Sequence, residues 1–179
     1  MQSMAWKHVS SPPPTKFRVV ASSRKVMATV FCDAEGIVLV DYLEHGSTIT
    51  GPYYADLIGQ VREVLKEKRR GKLHCGVLFH QDNAPAYTSS EALAAIRNAG
   101  FELLCHPPYS PDLAPSDFYL FPKLKEFLKG RRFADDEDVI CTANGCLEDQ
   151  EQQFFYNGLR ALEKRWTKCI AVAGDYVEK

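Results

Sequence analysis

The sequence predicts an α/β fold in which helices flank a mixed sheet, and three observations lead to this prediction. Two β-rich runs, 26–32 and 37–43, are separated by a short turn that contains glycine. Two further apolar runs, 73–80 and 101–105, alternate with segments of helical period. From Arg131 onward the pattern is helical. The 179 residues are enough for one domain, and no apolar run approaches the roughly 20 residues of a membrane span.

The first two runs are predicted to form a β-hairpin, because Gly36 supplies the backbone freedom that a short turn requires. A helix follows, with Thr50 as its cap, Pro52 near its first position and Gly71 at its end. One face of this helix is apolar at helical spacing: Tyr54, Leu57, Ile58, Val61 and Leu65.

A basic cluster closes the helix, and two interpretations of it remain open. The residues match the negative end of the helix dipole, or they contact nucleic-acid phosphates. They are Lys66, Lys68, Arg69, Arg70 and Lys72. Arg131 and Arg132 are weaker candidates for the same contact, with an ordinary exposed turn as the alternative.

The third strand is predicted at 73–80 and, being almost continuously apolar, is expected to be buried on both faces. Thr88 and Glu91 are the ends of a capping box for a helix that reaches about Ala99. A fourth strand occupies 101–105. Ser116 then caps a helix to Lys129 that starts at Ser116 or, because of Pro122, one turn later.

The overall charge of −1 conceals an asymmetry. Residues 1–72 hold 11 Lys and Arg against 7 Asp and Glu (+4), and residues 73–179 hold 11 against 16 (−5). A basic face beside acidic residues suits a DNA-cutting enzyme, although chance accounts for it equally well. The six cysteines fit no zinc-finger spacing and are expected to be reduced, buried thiols.

Two carboxylates stand out because each occupies a position typical of a ligand site. Asp82 follows the third predicted strand, and Asp117 lies at a predicted helix start, with 34 residues between them. Mg²⁺ needs only one or two protein carboxylates. Taken singly, Asp82 is also explained as a turn residue and Asp117 as a helix-start charge.

The surrounding motifs resemble the catalytic core of mariner-family transposases, members of the DDE/DDD superfamily. They are Asp82-Asn83-Ala84-Pro85 and Pro107-Pro108-Tyr109-Ser110-Pro111-Asp112-Leu113-Ala114-Pro115-Ser116-Asp117. The resemblance extends from about Trp6 to the C-terminus. It implies an RNase H-like fold that lacks its first strand, with residues 1–24 a remnant of a Pro-rich clamp or linker loop and 25–179 an incomplete catalytic domain.

The resemblance also implies a chemistry. Asp82 and Asp117 match the second and third catalytic carboxylates, which would hold Mg²⁺ or Mn²⁺ for DNA cleavage and strand transfer. Asn83 and Tyr87 would line the same loop, although the family often has His at the latter position. Asp112 is expected to be a turn residue. The implied partners are transposon-end DNA and a second copy of the chain bound through the Pro-rich loop, and the implied location is the nucleus.

The first carboxylate of the family is not found, since no acidic residue precedes Asp33. Asp33 and Asp41 are the nearest substitutes, but neither has the expected spacing. Activity is therefore expected to be lost or impaired, and whether the chain is an enzyme stays open here. The alternatives are a non-catalytic DNA-binding or dimerisation module derived from a transposase, and an unrelated RNase H-like nuclease.

Overall fold

The structure is a computed structural model that describes residues 25–173. Its strands are β1 (Met27–Asp33), β2 (Gly36–Leu43), β3 (Val77–His80) and β4 (Phe101–Leu104). Its helices are α1 (Gly51–Lys68), α2 (Ser90–Asn98), α3 (Phe121–Leu128), α4 (Asp136–Glu148) and α5 (Gln152–Ala171). The loop remnant predicted at residues 1–24, and the homodimer contact assigned to it, lie outside the described residues. No described helix is long and apolar enough to cross a membrane.

Both kinds of strand pairing occur, as a mixed sheet requires. Strands β1 and β2 are antiparallel, and Gly36 adopts a φ of 136° at the start of β2. Strands β3 and β4 are parallel, with Val77 opposite Phe101. Within residues 25–173 the two pairs form separate sheets. Phe31 of β1 nevertheless approaches Phe79 of β3, with ring centroids 6.2 Å apart, so side chains of the two sheets are in contact.

The main core lies between α1, α2 and the strands. The entire apolar face predicted for α1 is buried there, together with Val38, Phe79, Ala92, Ile96, Ala99 and Phe101. Thr50 caps α1 as predicted, since its hydroxyl accepts a hydrogen bond from the Tyr53 amide at 3.4 Å. The two sheets are therefore joined by the burial of apolar side chains in this shared core rather than by backbone hydrogen bonds.

Three local predictions were wrong. The third strand begins only at Val77, because left-handed Gly71 and Gly76 flank a 3₁₀ turn over Lys72–His74. Leu78 is 66% exposed, so this strand is not buried on both faces. The cap of α2 is Ser89 rather than Thr88, because the Ser89 hydroxyl accepts the hydrogen bond from the Ala92 amide.

The thiols also differ from the prediction. Cys75, Cys105 and Cys141 are exposed, and Cys146 alone is fully buried among the six, all of which are free. Apolar neighbours in sequence predicted burial, but Cys75 and Cys105 lie where the chain enters β3 and leaves β4, outside the packed part of each strand.

A second, smaller core joins α4 and α5 to the segment that carries Asp117. That segment is a π-helix (Ser116–Leu120) that continues into α3, with Pro122 in the first turn of α3. Ser116 is not a cap, since no side-chain hydrogen bond caps this π-helix. The fully buried members of the second core are Leu120, Leu147 and Phe155.

Two helical glycines are expected to respond oppositely to alanine. At Gly158 of α5 a Cβ would lie 2.6 Å from the Tyr119 ring, so Gly158→Ala should destabilise the fold by about 1–3 kcal/mol through overpacking. At exposed Gly59 of α1 a Cβ meets nothing within 4 Å, so Gly59→Ala should stabilise by up to about 1 kcal/mol. Urea denaturation measures both; a stabilising Gly158→Ala would contradict the packing described.

Candidate functional site

Asp82 lies directly beyond the carboxyl end of β3. One carboxylate oxygen, Oδ1, accepts a hydrogen bond from the Ala84 amide at 2.9 Å, which folds residues 82–84 into an Asx turn. The side chain is exposed. The turn interpretation of Asp82 and the ligand interpretation are thus compatible, since the turn occupies one oxygen and fixes the direction of the other.

Asp117 lies in the first turn of the π-helix and is also exposed. Asp82 and Asp117 line the same cleft, which has a volume of about 770 Å³. The loops after β3 and β4 form its walls, because parallel neighbouring strands end at the same edge of a sheet. Asn83 ties these loops together by donating its side-chain amide to the His106 carbonyl at 2.9 Å.

The donor set of the cleft fits a hard divalent cation. Carboxylate oxygens are the preferred ligands of Mg²⁺, which keeps several waters when one or two carboxylates bind it. Among residues 25–173, no cluster of three or more His, Cys, Asp or Glu side chains is placed to hold a metal. An ion in the cleft would therefore be held by Asp82 and Asp117 with water in its other positions.

The two acids considered as substitutes for a further ligand are engaged elsewhere. Asp33 accepts hydrogen bonds from Arg69 and Lys72, each at 3.0 Å. Burial acts to raise the pKa of Asp33, but these two cations outweigh it and lower the pKa below 3.8. Asp41 accepts a hydrogen bond from the Tyr53 hydroxyl, which raises the pKa of Tyr53 to about 12. Neither acid lines the cleft.

Two histidines, His80 and His106, contact each other beside the cleft. His106 Nδ1 and His80 Nε2 are 3.1 Å apart, so one ring nitrogen donates to the other. Burial, reinforced by His106, lowers the pKa of His80 from its ordinary value despite the nearby Asp82. The two histidines thus link the end of β3 to the loop that follows β4.

The basic candidates fall into three groups. Arg69 and Lys72 form ion pairs with Asp33 and Glu35, and the Arg69 side chain is only 13% exposed. Others are exposed but engaged: Lys66 pairs with Glu63, Lys68 donates to the Val38 carbonyl, and Arg131 lies 3.9 Å over the Phe127 ring. Within the described part of the chain, Arg70 and Arg132 have no such partner. A nucleic-acid role for these seven residues stays a prediction.

Sequence reasoning missed two features of the cleft. Tyr109 lies on its rim, is fully exposed and has a φ of 56°, an unfavourable backbone conformation for a residue other than glycine. No sequence signal marks a positive φ at a tyrosine. Tyr87, expected to line the loop, instead packs on Tyr54 with ring centroids 4.2 Å apart. Asp112 lies in a 3₁₀ turn (Pro111–Leu113), as its assignment to a turn predicted.

The fold and the cleft define an RNase H-like catalytic domain, with one acidic residue after a strand and another in the first turn of a π-helix. The family described as Transposase (partial DDE domain) matches residues 1–75. The catalytic domain of Mos1 transposase with raltegravir and Mn superposes with a TM-score of 0.81 at 31% identity, covering 87% of this chain and 78% of that one. The chain belongs to the mariner transposase family.

Two curated relatives are much longer than this chain, so the chain matches only part of each. It is 31% identical to the Mariner Mos1 transposase of Drosophila mauritiana over 171 residues, which is 94% of this chain and 48% of that protein. It is 30% identical to the human histone-lysine N-methyltransferase SETMAR over 99% of this chain and 26% of that protein. A pre-cleavage Mos1 transpososome gives a TM-score of 0.83 at 28% identity, covering 99% of this chain and 53% of the other. The chain thus spans about half of the Mos1 transposase and a quarter of SETMAR.

Proposed function

We propose that this chain is a catalytic-domain portion of a mariner-type DNA transposase, in which Asp82 and Asp117 bind Mg²⁺ or Mn²⁺ and cleavage of DNA is impaired. The observation that carries the proposal is that both carboxylates line one cleft at the end of the parallel strand pair. Two bound divalent ions would share the chemistry, one activating the attacking water or 3′-hydroxyl and the other stabilising the leaving oxygen of a phosphodiester. The proteins to which the chain is similar support DNA as its substrate, because Mos1 transposase forms complexes with transposon ends.

Impairment follows from the number of acidic ligands. The described residues bring two carboxylates into the cleft, and residues 1–24 contain no Asp or Glu. Loss of even an outer-shell partner of a metal ligand costs about 10–100-fold in affinity or activity. We therefore expect cleavage of transposon-end duplexes to be more than 100-fold slower than by full-length Mos1 transposase.

A nicking assay with Mn²⁺ and end-labelled duplex tests the proposal. The Asp82→Asn/Asp117→Asn double variant, which keeps side-chain volume but removes both charges, is the matched control. Slow nicking that the double variant lacks would support a residual active site. Equal nicking by both proteins would contradict the metal role of these residues, and turnover at the rate of the full-length relative would contradict impairment.

A second candidate function, DNA binding or dimerisation without cleavage, is favoured by Arg70 and Arg132, which are exposed and have no partner within residues 25–173. Retention of labelled DNA should then weaken as salt rises, because phosphate contacts release counterions. Retention that is absent or independent of salt would remove this candidate. Cleavage and binding of DNA both require access to DNA, so we propose a nuclear location for the protein.

A further inference from the structure

Helix α5 contacts both segments that carry the candidate metal ligands. Arg165 donates from Nε and Nη2 to Asp112 Oδ2, at 2.9 and 2.5 Å. The next residue, Trp166, donates its indole N–H to the Leu113 carbonyl at 3.1 Å. Two consecutive side chains thereby hold the 3₁₀ turn that precedes Asp117.

The same tryptophan contacts the other ligand segment. Its ring packs edge-on against His80, with centroids 5.8 Å apart, and His80 lies two residues before Asp82. His80 is bonded in turn to His106, at the start of the Pro-rich loop that leads to Asp112. Trp166 therefore bridges the end of β3 and the turn before Asp117, which no described backbone hydrogen bond connects directly.

The bridge is rigid because its parts are buried or conformationally restricted. Arg165 is only 8% exposed although Asp112 is partly exposed, so separating the pair would take the carboxylate away from a buried guanidinium. Pro111, the first residue of the turn, and Pro115, two residues after it, restrict the backbone. From Ala114, which is buried, the chain enters the π-helix directly, since the Phe118 amide bonds to the Ala114 carbonyl at 2.9 Å. A displacement of the turn would therefore move Asp117.

We infer that Arg165 and Trp166 are positioning residues that set the separation of Asp82 from Asp117 by holding the Asp112–Leu113 turn against the end of β3. The inference rests on the proposed function, in which these two carboxylates share a metal ion. Arg165 and Trp166 do not line the cleft themselves and act only through the segments that they hold.

Two measurements on the whole chain test this role: Mn²⁺ affinity by titration, and amide hydrogen exchange without metal. Arg165→Gln should weaken Mn²⁺ binding about tenfold or more, as loss of an outer-shell partner does. It should also speed exchange in residues 81–84 and 111–120. Arg165→Lys should recover part of the affinity, because it keeps the charge but loses the two-pronged geometry. Arg160→Gln, on the exposed side of the same helix, is the matched control and should change neither quantity.

Trp166→Phe provides a milder variant if Arg165→Gln does not fold, since it keeps the ring against His80 and removes only the bond to the Leu113 carbonyl. Folded variants with wild-type affinity and wild-type exchange would overturn the inference. If the wild-type chain binds Mn²⁺ no better than the Asp82→Asn/Asp117→Asn variant, the proposed function fails instead. Exchange alone then decides the positioning role: faster exchange confined to the two segments supports it, and unchanged exchange overturns it.

Discussion

Asp82→Asn is expected to weaken Mn²⁺ binding by at least tenfold, and beyond measurement if Asp117 alone cannot retain the ion. Asparagine has the size of aspartate and keeps an oxygen that can accept the Ala84 amide, so the Asx turn is preserved. What is lost is the negative charge, together with one of the two carboxylates that the cleft offers. Because Mg²⁺ and Mn²⁺ bind through charged oxygens, the loss acts on binding rather than on folding.

Asp41→Asn is the matched control for this variant. Asp41 was considered as a substitute ligand, but it is bonded to Tyr53 and lies outside the cleft. Its replacement should leave Mn²⁺ affinity unchanged. It should also lower the pKa of Tyr53, because the interaction with the Asp41 carboxylate raises that pKa. Titration calorimetry with Mn²⁺ measures all three proteins. An Asp41→Asn variant that loses affinity, or an Asp82→Asn variant that keeps it, would show that the ion sits elsewhere.

The sequence predicted the fold best where local pattern and tertiary packing agree. The apolar face of α1 is buried at every position named for it, because five apolar positions at helical spacing over about three turns allow only one face to point inward. The hairpin turn at Gly36 was equally well determined, since its φ of 136° excludes most other residues. Both features are local, and local features are what a single sequence reports.

The third strand was predicted wrongly for two reasons: glycines in and beside the run shorten it, and its burial depends on distant parts of the chain. The apolar run 73–80 predicted a long buried strand, but Gly71 and Gly76 both adopt positive φ and delay the strand to Val77. Leu78 is exposed because no described element covers its face of β3. Burial depends on what packs against a residue, and an apolar run does not contain that information.

The same distinction applies to the site. Asp82 and Asp117 were identified through motifs, and the structure places both in one cleft. The ion pair of Arg165 with Asp112 spans 53 residues in the chain, and neither residue has a sequence signal that selects its partner. Likewise, Arg69 and Lys72 were grouped with the other cations at the end of the helix, yet both pair with Asp33 at the β1–β2 turn. Pairing across the fold is the information that the sequence pattern lacked.

Phe155→Ala should be the most destabilising of the substitutions considered, with a loss of about 3–5 kcal/mol in the free energy of unfolding. Phe155 is 1% exposed and packs edge-on against Tyr119 and Phe154, with ring centroids 6.5 and 5.3 Å away. It joins α5 to the second core, so its removal opens a cavity where α5 packs against the π-helix and α4. Urea denaturation with an unchanged m-value would measure the loss.

Tyr156→Ala, one residue further along α5, is the control for Phe155→Ala. Tyr156 is 49% exposed, and a surface substitution of this kind usually changes stability by no more than about 0.5 kcal/mol. If Phe155→Ala costs no more than Tyr156→Ala, the second core does not hold α5. The consequence would reach the metal site, because Tyr119 and Leu120 of the same core belong to the π-helix that carries Asp117. A substitution that destabilises this core is therefore also expected to displace Asp117.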